Sequence, residues 1–412
     1  MTKSRTENLP SKGPGGTHSS YVPELDGVRG LAILGVMALH FVGEIPAVNA
    51  AERLIGKVAG YGLWGVDLFF VLSGFLITGI LLETKGTAGY FRNFYIRRTL
   101  RIFPLYYGVL LLLFVVIPAS LWARFDPRFL EARELQGWIW PYLTNYYIGS
   151  QHLFSIPYVS HFWSLAVEEH FYLLWPVVIL LLSPRAALRA CILFSLTALG
   201  LRITFASMAP DLLYASVLTP CRLDALCIGA WFALVAREHG RLPPPRAVLG
   251  MGIAAAAVVA VSLWHVLVPS ADSAVLQLRT TFVAVFCGFF VYVAARHNGA
   301  TAMRSALRMS WLRGLGKYSY GLYVFHGLVS YAFAAYQPYV FLGNILHVHA
   351  AAAVMQIAFG VGLSLAMAVI SYQLFERRFL ALKDRFGPGT TARIRSNPNR
   401  VPRVEMVEAP TR

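Results

Sequence analysis

The sequence predicts an all-α polytopic membrane protein, a helical bundle of about ten transmembrane helices. Hydrophobic residues make up 57% of the 412 residues, charged residues make up only 14%, and the mean hydropathy is +0.57. A soluble protein of this length needs far more polar surface. Apolar runs also recur along the chain at about the 20-residue length that crosses a bilayer. Together these observations exclude a soluble globular domain.

The predicted spans follow the apolar runs in order, and the sixth span is the shortest. They lie near residues 28–44, 62–82, 102–121, 163–182, 190–207, 223–236, 248–268, 280–295, 318–336 and 351–374. Of the 36 Lys and Arg residues, six fall in the loops of one side and most of the others in the loops of the opposite side. Because basic loops stay in the cytoplasm, both termini are predicted to be cytoplasmic, which requires an even number of spans.

The two ends of the chain differ in composition from its middle. Residues 1–20 are polar, lack the apolar core of a signal peptide and predict a disordered cytoplasmic N-terminus. Residues 21–380 form the predicted membrane domain, and the basic stretch 381–412 predicts a disordered cytoplasmic tail. The net charge of +16 does not indicate a nucleic-acid partner, because the basic residues sit between apolar segments. The four cysteines lie in or beside apolar runs, so neither a disulfide framework nor a metal site is expected.

Ionisable side chains inside the predicted spans indicate a functional site, since such groups are costly in lipid. His40 lies eleven residues after Arg29, which is about 16 Å along a helix. By the same rise, Glu169 lies about 10 Å and Asp67 about 8 Å below the outer surface. One imidazole and four carboxylates therefore share a similar predicted depth: His40, Asp67, Glu168, Glu169 and Asp224. This combination predicts a general acid/base site.

A cluster of arginines lies on the predicted cytoplasmic side, in "RRTLR". If this segment is helical, Arg97 and Arg101 share a face. Together with Arg98 they suit a phosphate-bearing ligand, because guanidinium groups bind phosphate in a bidentate manner. The alternative is that they anchor the topology or contact anionic lipid.

Several residues near this site have structural interpretations as well. Asp67 and Arg222 lie at similar depth and are expected to form a buried ion pair. Glu168 and Glu169 are adjacent and point about 100° apart on a helix, so one is expected to face the cavity and the other to make a structural hydrogen bond. Glu168 shares a helix face with Tyr172, which favours a structural or acceptor-lining role for Glu168.

Two more features fit packing or lining roles. Ser73 and Gly74 fit close helix packing more readily than nucleophilic chemistry. His326, in "GKYSYGLYVFHG", is a candidate cavity-lining residue.

These stretches resemble the signatures of the acyltransferase-3 family of membrane O-acyltransferases. "ELDGVRGLAILGVMALHF" is similar to the first-helix signature, in which ten residues separate an arginine from a histidine. "GVDLFFVLSGFLIT", "RRTLRIFPLYY", "FWSLAVEEHFYLLWP", "RLDALCIGA" and "GKYSYGLYVFH" match later signatures in the family's order. The resemblance covers about residues 21–380. A single signature would be weak evidence for the family, but six signatures in the same order are specific to it.

The resemblance implies a bacterial inner-membrane enzyme that moves an acyl group, often acetyl, from cytoplasmic acyl-CoA to a hydroxyl, commonly on a cell-surface sugar. It implies that His40 is catalytic and that Arg29, Arg97, Arg98 and Arg101 serve the acyl-CoA side. Some relatives carry a C-terminal esterase-like domain that completes the transfer. This chain is expected to lack one, and hence to act on its acceptor directly or through a separate periplasmic partner.

Residues and resemblance together predict that His40 is the general base for an acceptor hydroxyl, with Glu169 or Glu168 orienting the imidazole. A transiently acylated His40 is the alternative. Acyl-CoA is the expected co-substrate, with no bound cofactor. The acceptor is expected to be a carbohydrate or glycolipid such as lipopolysaccharide, or alternatively a small molecule such as a macrolide. The rival of a different class is a transporter or flippase with an intramembrane His/Glu/Asp relay, which would not depend on acyl-CoA.

Overall fold

The chain folds into long helices that follow the predicted spans. The computed structural model describes residues 21–238, 242–268, 273–295 and 301–386. Ten helices of at least 19 residues lie in these ranges, and each overlaps one predicted span. They are α1 (Pro23–Phe41), α2 (Trp64–Thr84), α3 (Tyr90–Leu111), α4 (Trp163–Leu181), α5 (Pro184–Met208), α6 (Thr219–Glu238), α7 (Pro244–Leu267), α8 (Ser273–Ala294), α9 (Ser310–Tyr336) and α10 (His349–Ser371).

Eight of the described helical segments are long and apolar enough to cross a membrane, so the chain is a polytopic helical membrane protein. The two long helices outside that set are α1 and α9. The first turns of α1 carry Glu24, Asp26 and Arg29, and α9 is rich in tyrosine, glycine and serine. The count of ten spans and the cytoplasmic position of both termini therefore stay predictions.

Shorter helical segments connect the long helices. They are Ala50–Gly60, Tyr61–Leu63, Leu112–Val116, Ala119–Phe125, Phe129–Glu134, Gln136–Ile139, Thr144–Gly149, Ser160–Phe162, Tyr214–Val217, Ala302–Leu307, Pro338–Leu346, Tyr372–Glu376, Arg377–Lys383 and Asp384–Phe386. The last two lie at the start of the stretch predicted as a disordered tail, so the helical structure continues beyond residue 380. The predicted disordered N-terminus, 1–20, and the remaining tail, 387–412, fall outside the described residues.

Local sequence explains where several helices begin. Proline occupies the first position of α1, where its missing N–H is not needed, and Glu24 and Asp26 in the first turn favour the positive end of the helix dipole. Ser183 precedes α5, and its hydroxyl accepts a hydrogen bond from the Ala186 N–H at 3.3 Å. These signals fix where α1 and α5 begin.

Helices α2 and α6 pack at backbone distance. A Cβ added at Gly74 would lie 1.9 Å from the carbonyl oxygen of Leu226, and one added at Gly229 would lie 2.0 Å from that of Val71. Only glycine permits this approach, which brings the polar groups of the two helices together. The expectation that Gly74 serves packing agrees with this geometry.

Two buried ion pairs connect α2, α5 and α6. Arg222 donates a hydrogen bond to Asp67, and both side chains are buried. Asp224 pairs with Arg202 at 2.7 Å, and both side chains are 1% exposed. Asp224, expected at the depth of His40 as a cavity-lining or structural residue, has the structural role. The opposite charge of Arg202 compensates the carboxylate inside the bundle, which is what a buried charge requires.

Candidate active site

The first cavity, which we call the arginine cavity, has a volume of about 250 Å³ and is strongly basic. Its cationic lining residues are Arg29, Arg97, Arg98, Arg101 and Lys383. Arg29 donates to Asp26 at 2.6 Å. Within the described ranges, Arg97, Arg98 and Arg101 form no salt bridge with a protein carboxylate, and the Arg98 guanidinium lies over the Tyr172 ring at 5.5 Å. Cations without protein counter-ions in a cavity suit an anionic ligand.

Both adjacent glutamates line the arginine cavity. Glu168 accepts hydrogen bonds from the Ser73 hydroxyl at 2.7 Å and the Tyr172 hydroxyl at 3.0 Å. In Glu169, Oε1 is buried and has no hydrogen-bond partner among the residues that the structure describes. Of the two, Glu168 therefore makes the structural hydrogen bonds, although both face the same cavity. Ser73, which was expected only to pack, holds Glu168 in place.

The second cavity, which we call the histidine cavity, has a volume of about 200 Å³ and lies at the other end of α1. Its lining residues are His40, Phe41, Glu44, Ile45, Pro46, Ser330, Phe333, Ala334, Gln337, Tyr339 and Gln356. The His40 Nδ1 atom lies 2.7 Å from Glu44 Oε1. Because a carboxylate accepts, Nδ1 carries the proton and Nε2 is left with its lone pair, ready to act as a base.

A wall of three side chains, Tyr323, His326 and His161, separates the two cavities. Tyr323 lines the arginine cavity, and its ring centroid lies 5.3 Å from that of His326. The His326 ring lies 5.2 Å from His40 and 5.3 Å from His161. Hydrogen bonds fix the wall: the Tyr323 hydroxyl donates to the His161 carbonyl at 2.8 Å, and the Ser164 hydroxyl bonds the Tyr323 hydroxyl.

His326, a candidate for lining the cavity or for a structural role, has the structural position. It is fully buried within the wall and lines neither cavity. Its Nδ1 lies 2.7 Å from the carbonyl oxygen of Tyr323, so that nitrogen carries the proton. The other nitrogen, Nε2, is buried and bonds none of the described residues. His326 thus presents an acceptor atom between the cavities.

The predicted partnership between His40 and Glu169 or Glu168 is not what the structure shows. The glutamates lie with the arginines, whereas His40 opens into the other cavity and bonds Glu44. The carboxylate that can orient the imidazole therefore comes from the turn that follows α1. The structure therefore contains the expected kind of carboxylate–imidazole pair, but the carboxylate is that of Glu44 and not of Glu168 or Glu169.

The sequence did hold signals for the residues that were missed. Glu44 stands four residues after His40, the spacing at which helical side chains meet, although α1 ends at Phe41. Lys383 lies in the stretch assigned to the tail, yet the helix Arg377–Lys383 brings it to the arginine cavity. No group of three or more metal-ligating side chains suited to a metal ion occurs in the part of the chain that the structure describes.

Comparison with known proteins identifies the family to which this helical scaffold belongs. A family model described as an acyltransferase domain matches residues 22–373, which include both cavities except Lys383. The chain belongs to the acyltransferase-3 family. It therefore carries a membrane acyltransferase domain, of the class that transfers groups other than aminoacyl groups. No solved structure matches the chain significantly.

Curated relatives of this acyltransferase domain come from Staphylococcus aureus. The O-acetyltransferase OatA of strain NCTC 8325 / PS 47 is 28% identical over 380 residues, covering 86% of this chain and 57% of the relative. A putative O-acetyltransferase of strain COL is 32% identical over 227 residues, covering 52% of this chain and 35% of the relative. The chain thus spans little more than half the length of the first of these relatives.

Proposed function

We propose that the protein is a membrane O-acetyltransferase that transfers an acetyl group from acetyl-CoA to a hydroxyl of a carbohydrate. The family and the O-acetyltransferase names of its relatives support this reaction class. The observation that carries the proposal is the arrangement around α1. The cavity at one end contains Arg97, Arg98 and Arg101, which form no salt bridge within the described residues, and the cavity at the other end contains an imidazole–carboxylate pair.

The arginine cavity is the proposed donor site. Phosphate groups of acetyl-CoA pair with Arg97, Arg98 and Arg101, and Lys383 adds a further positive charge. Arg29 and His40 are about 16 Å apart along α1, so the long pantetheine arm has to run along the helix to bring its thioester to the imidazole. The wall residues Tyr323 and His326 lie between the two cavities, so this route requires the wall to open for the thioester.

At the histidine cavity, His40 Nε2 removes the proton of the acceptor hydroxyl. The oxygen attacks the thioester carbonyl, an ester bond forms, and the carbon–sulfur bond breaks to release the CoA thiolate. The proton on His40 then neutralises the thiolate. Glu44 stabilises the imidazolium while it exists, which is the role of the carboxylate in a catalytic triad. In the alternative route the acetyl group rests on His40 before the acceptor attacks.

The setting proposed for this reaction is the inner membrane of a bacterium, with acetyl-CoA arriving from the cytoplasm. The basic loops and the basic cavity lie on the same predicted side, which supports this orientation. The proposed acceptor is a cell-surface or lipid-linked carbohydrate, such as lipopolysaccharide or another glycolipid. The protein acetylates this acceptor directly or hands the acetyl group to a separate periplasmic partner. A macrolide-like small molecule is the alternative acceptor.

The decisive experiment compares purified wild type, His40→Ala and a control, His152→Ala. His152 lies in an exposed loop and lines neither cavity. Each protein is incubated with radiolabelled acetyl-CoA and bacterial membranes, and label is followed in glycan, in lipid and on the protein. We expect wild type and His152→Ala to label glycan or lipid and His40→Ala to label neither. Full transfer by His40→Ala contradicts the mechanism, and label retained on the protein favours the covalent route.

A second pair of variants tests the donor site. Arg97→Ala combined with Arg98→Ala is expected to raise the KM for acetyl-CoA, because two phosphate contacts are lost. Arg92→Ala is the control, since Arg92 is exposed on the same helix and does not line the cavity. An unchanged KM in the double variant would mean that these arginines only anchor the topology. If no variant consumes acetyl-CoA, the transporter interpretation gains support.

A further inference from the structure

The histidine cavity contains polar groups that the reaction at His40 does not use. Gln356 is 7% exposed, and its side-chain oxygen accepts a hydrogen bond from the Tyr339 N–H at 2.6 Å. The amide nitrogen of the same side chain makes no hydrogen bond to any described residue. A carboxamide nitrogen has two protons to donate, so a buried Gln356 in a cavity wall requires an acceptor from a ligand or from water.

The neighbouring turn presents a second carboxamide to the cavity. Gln337 joins α9 to the helix Pro338–Leu346 and has φ +47°, a left-handed conformation that is uncommon outside glycine. Its N–H closes the end of α9 by bonding the Phe333 carbonyl at 2.8 Å. The Gln337 side chain lines the cavity and bonds no described residue.

The cavity lining as a whole matches the chemistry of a neutral polyol. The two carboxamides donate hydrogen bonds, and Glu44 and the Nε2 atom of His40 accept them. No lysine or arginine is among the lining residues, so the cavity does not favour an anionic ligand. Hydroxyl groups both donate and accept, and the ring of Phe333 offers an apolar face. A sugar ring combines these properties.

We propose that the histidine cavity is the acceptor subsite and that the Gln356 amide donates to a sugar hydroxyl beside the one deprotonated by His40. The part of this proposal that concerns deprotonation by His40 rests on the proposed function. The part that concerns sugar binding does not. Gln356 acts in recognition, and its variants are expected to change acceptor binding while leaving donor binding intact.

A thiol placed in the cavity measures occupancy without any need for turnover. Ala334 is exposed and lines the cavity, so Ala334→Cys gives an accessible thiol there. The four native cysteines are buried, which keeps background labelling low. The probe is a panel of methyl glucoside, galactoside and mannoside, and the readout is the rate at which a small methanethiosulfonate reagent modifies the thiol. Ser150→Cys, on an exposed loop residue outside the cavity, is the matched control.

At least one glycoside is expected to slow modification of the thiol in Ala334→Cys. No glycoside is expected to slow modification of the thiol in Ser150→Cys. Adding Gln356→Glu should raise the glycoside concentration that gives half protection by about tenfold, as the loss of one hydrogen bond predicts. This change keeps an oxygen for the Tyr339 N–H, and it replaces the amide donor with a negatively charged oxygen that can only accept, so a sugar oxygen that accepts from Gln356 loses its donor. If that variant does not fold, Gln337→Gly removes the second amide in a backbone conformation that glycine tolerates, and it should weaken protection as well.

Two outcomes overturn the inference: no glycoside protects the thiol, or protection is the same with and without Gln356→Glu. Acetyl-CoA binding is measured in parallel by titration of the same protein. Glycoside protection without acetyl-CoA binding would contradict the proposed function and support the sugar subsite. Acetyl-CoA binding without glycoside protection would contradict the sugar subsite and leave the acetyl-CoA-dependent reaction supported.

Discussion

The contact between His40 and Glu44 leads to the sharpest functional prediction. Glu44→Gln keeps the size of the side chain and removes its charge. In the structure the two side chains meet at 2.7 Å and are 27% and 44% exposed. The imidazolium that forms during transfer would lose its nearest carboxylate, while the neutral imidazole of the resting enzyme would lose little.

The exposure of the pair sets the size of the effect. Opposite charges about 4 Å apart attract by about 1 kcal/mol in bulk water and by about 4 kcal/mol near a protein surface. Since both groups are partly solvated, screening reduces this to about 1–2 kcal/mol. That corresponds to a fall in kcat of about 5- to 30-fold. A dry, fully buried carboxylate would give a far larger loss, of the order of 10⁴-fold.

The assay is the rate of acetyl transfer at saturating acetyl-CoA, with Glu44→Gln and Glu169→Gln compared in one preparation. Glu134→Gln, at an exposed residue that lines neither cavity, controls for the loss of a surface carboxylate. Glu44→Gln should lower kcat with little change in the KM for acetyl-CoA. The reasoning is refuted if Glu44→Gln keeps full kcat while Glu169→Gln is as inactive as His40→Ala.

Three further predictions concern the donor cavity and the scaffold. Lys383→Ala should raise the KM for acetyl-CoA several-fold, because a positive charge in the donor cavity is lost. Arg385→Ala, outside the cavity, should leave this KM unchanged. Equal KM values for the two variants would show that Lys383 does not contribute to donor binding. Asp67→Asn leaves Arg222 uncompensated and should destabilise the protein by about 3–5 kcal/mol in thermal unfolding in detergent. Asp67→Leu combined with Arg222→Met should recover most of that loss, and failure to recover would assign the pair another role. Gly74→Ala should abolish the folded peak in size-exclusion chromatography, because the added Cβ meets backbone 1.9 Å away; a normal peak would show that α2 and α6 can separate.

The fold was largely predictable because membrane crossing is a local property of the sequence. A run of about 20 apolar residues is long enough to span lipid whatever it packs against. Every long helix therefore overlaps a predicted span, including α6, whose predicted span was the shortest. The helical segment Arg377–Lys383 was missed because a basic, polar composition indicates disorder only when no neighbouring helix offers contacts.

The site was predictable only in part. The rise per residue of a helix gives the depth of a side chain in the membrane but not the direction in which that side chain points. Counting residues places His40 and Glu169 at similar depth, yet they open into different cavities. The clustering of Arg97, Arg98 and Arg101 agrees with the sequence-based expectation. The two glutamates were expected near His40, but they lie with these arginines. That Glu168 joins them depends on the crossing of α2 and α4, which a single sequence does not encode locally.

The missed pairings have a related cause. Glu44 follows the end of α1, where no periodic pattern indicates which way a side chain turns. Arg202 lies on α5, and only the approach of α5 to α6 buries it against Asp224. The roles of the predicted site residues remain predictions, to be decided by the variants above.

The two buried ion pairs also bear on how the protein is assembled in the membrane. An isolated helix enters lipid reluctantly when it carries an unpaired charge. Arg202 and Asp224 lie on consecutive long helices and neutralise each other, so α5 and α6 can leave the insertion machinery as one hairpin. Arg222 instead requires Asp67, which is 155 residues earlier in the chain. We therefore expect α2 to remain beside the insertion machinery until α6 arrives, so that the order in which these helices enter lipid depends on Asp67.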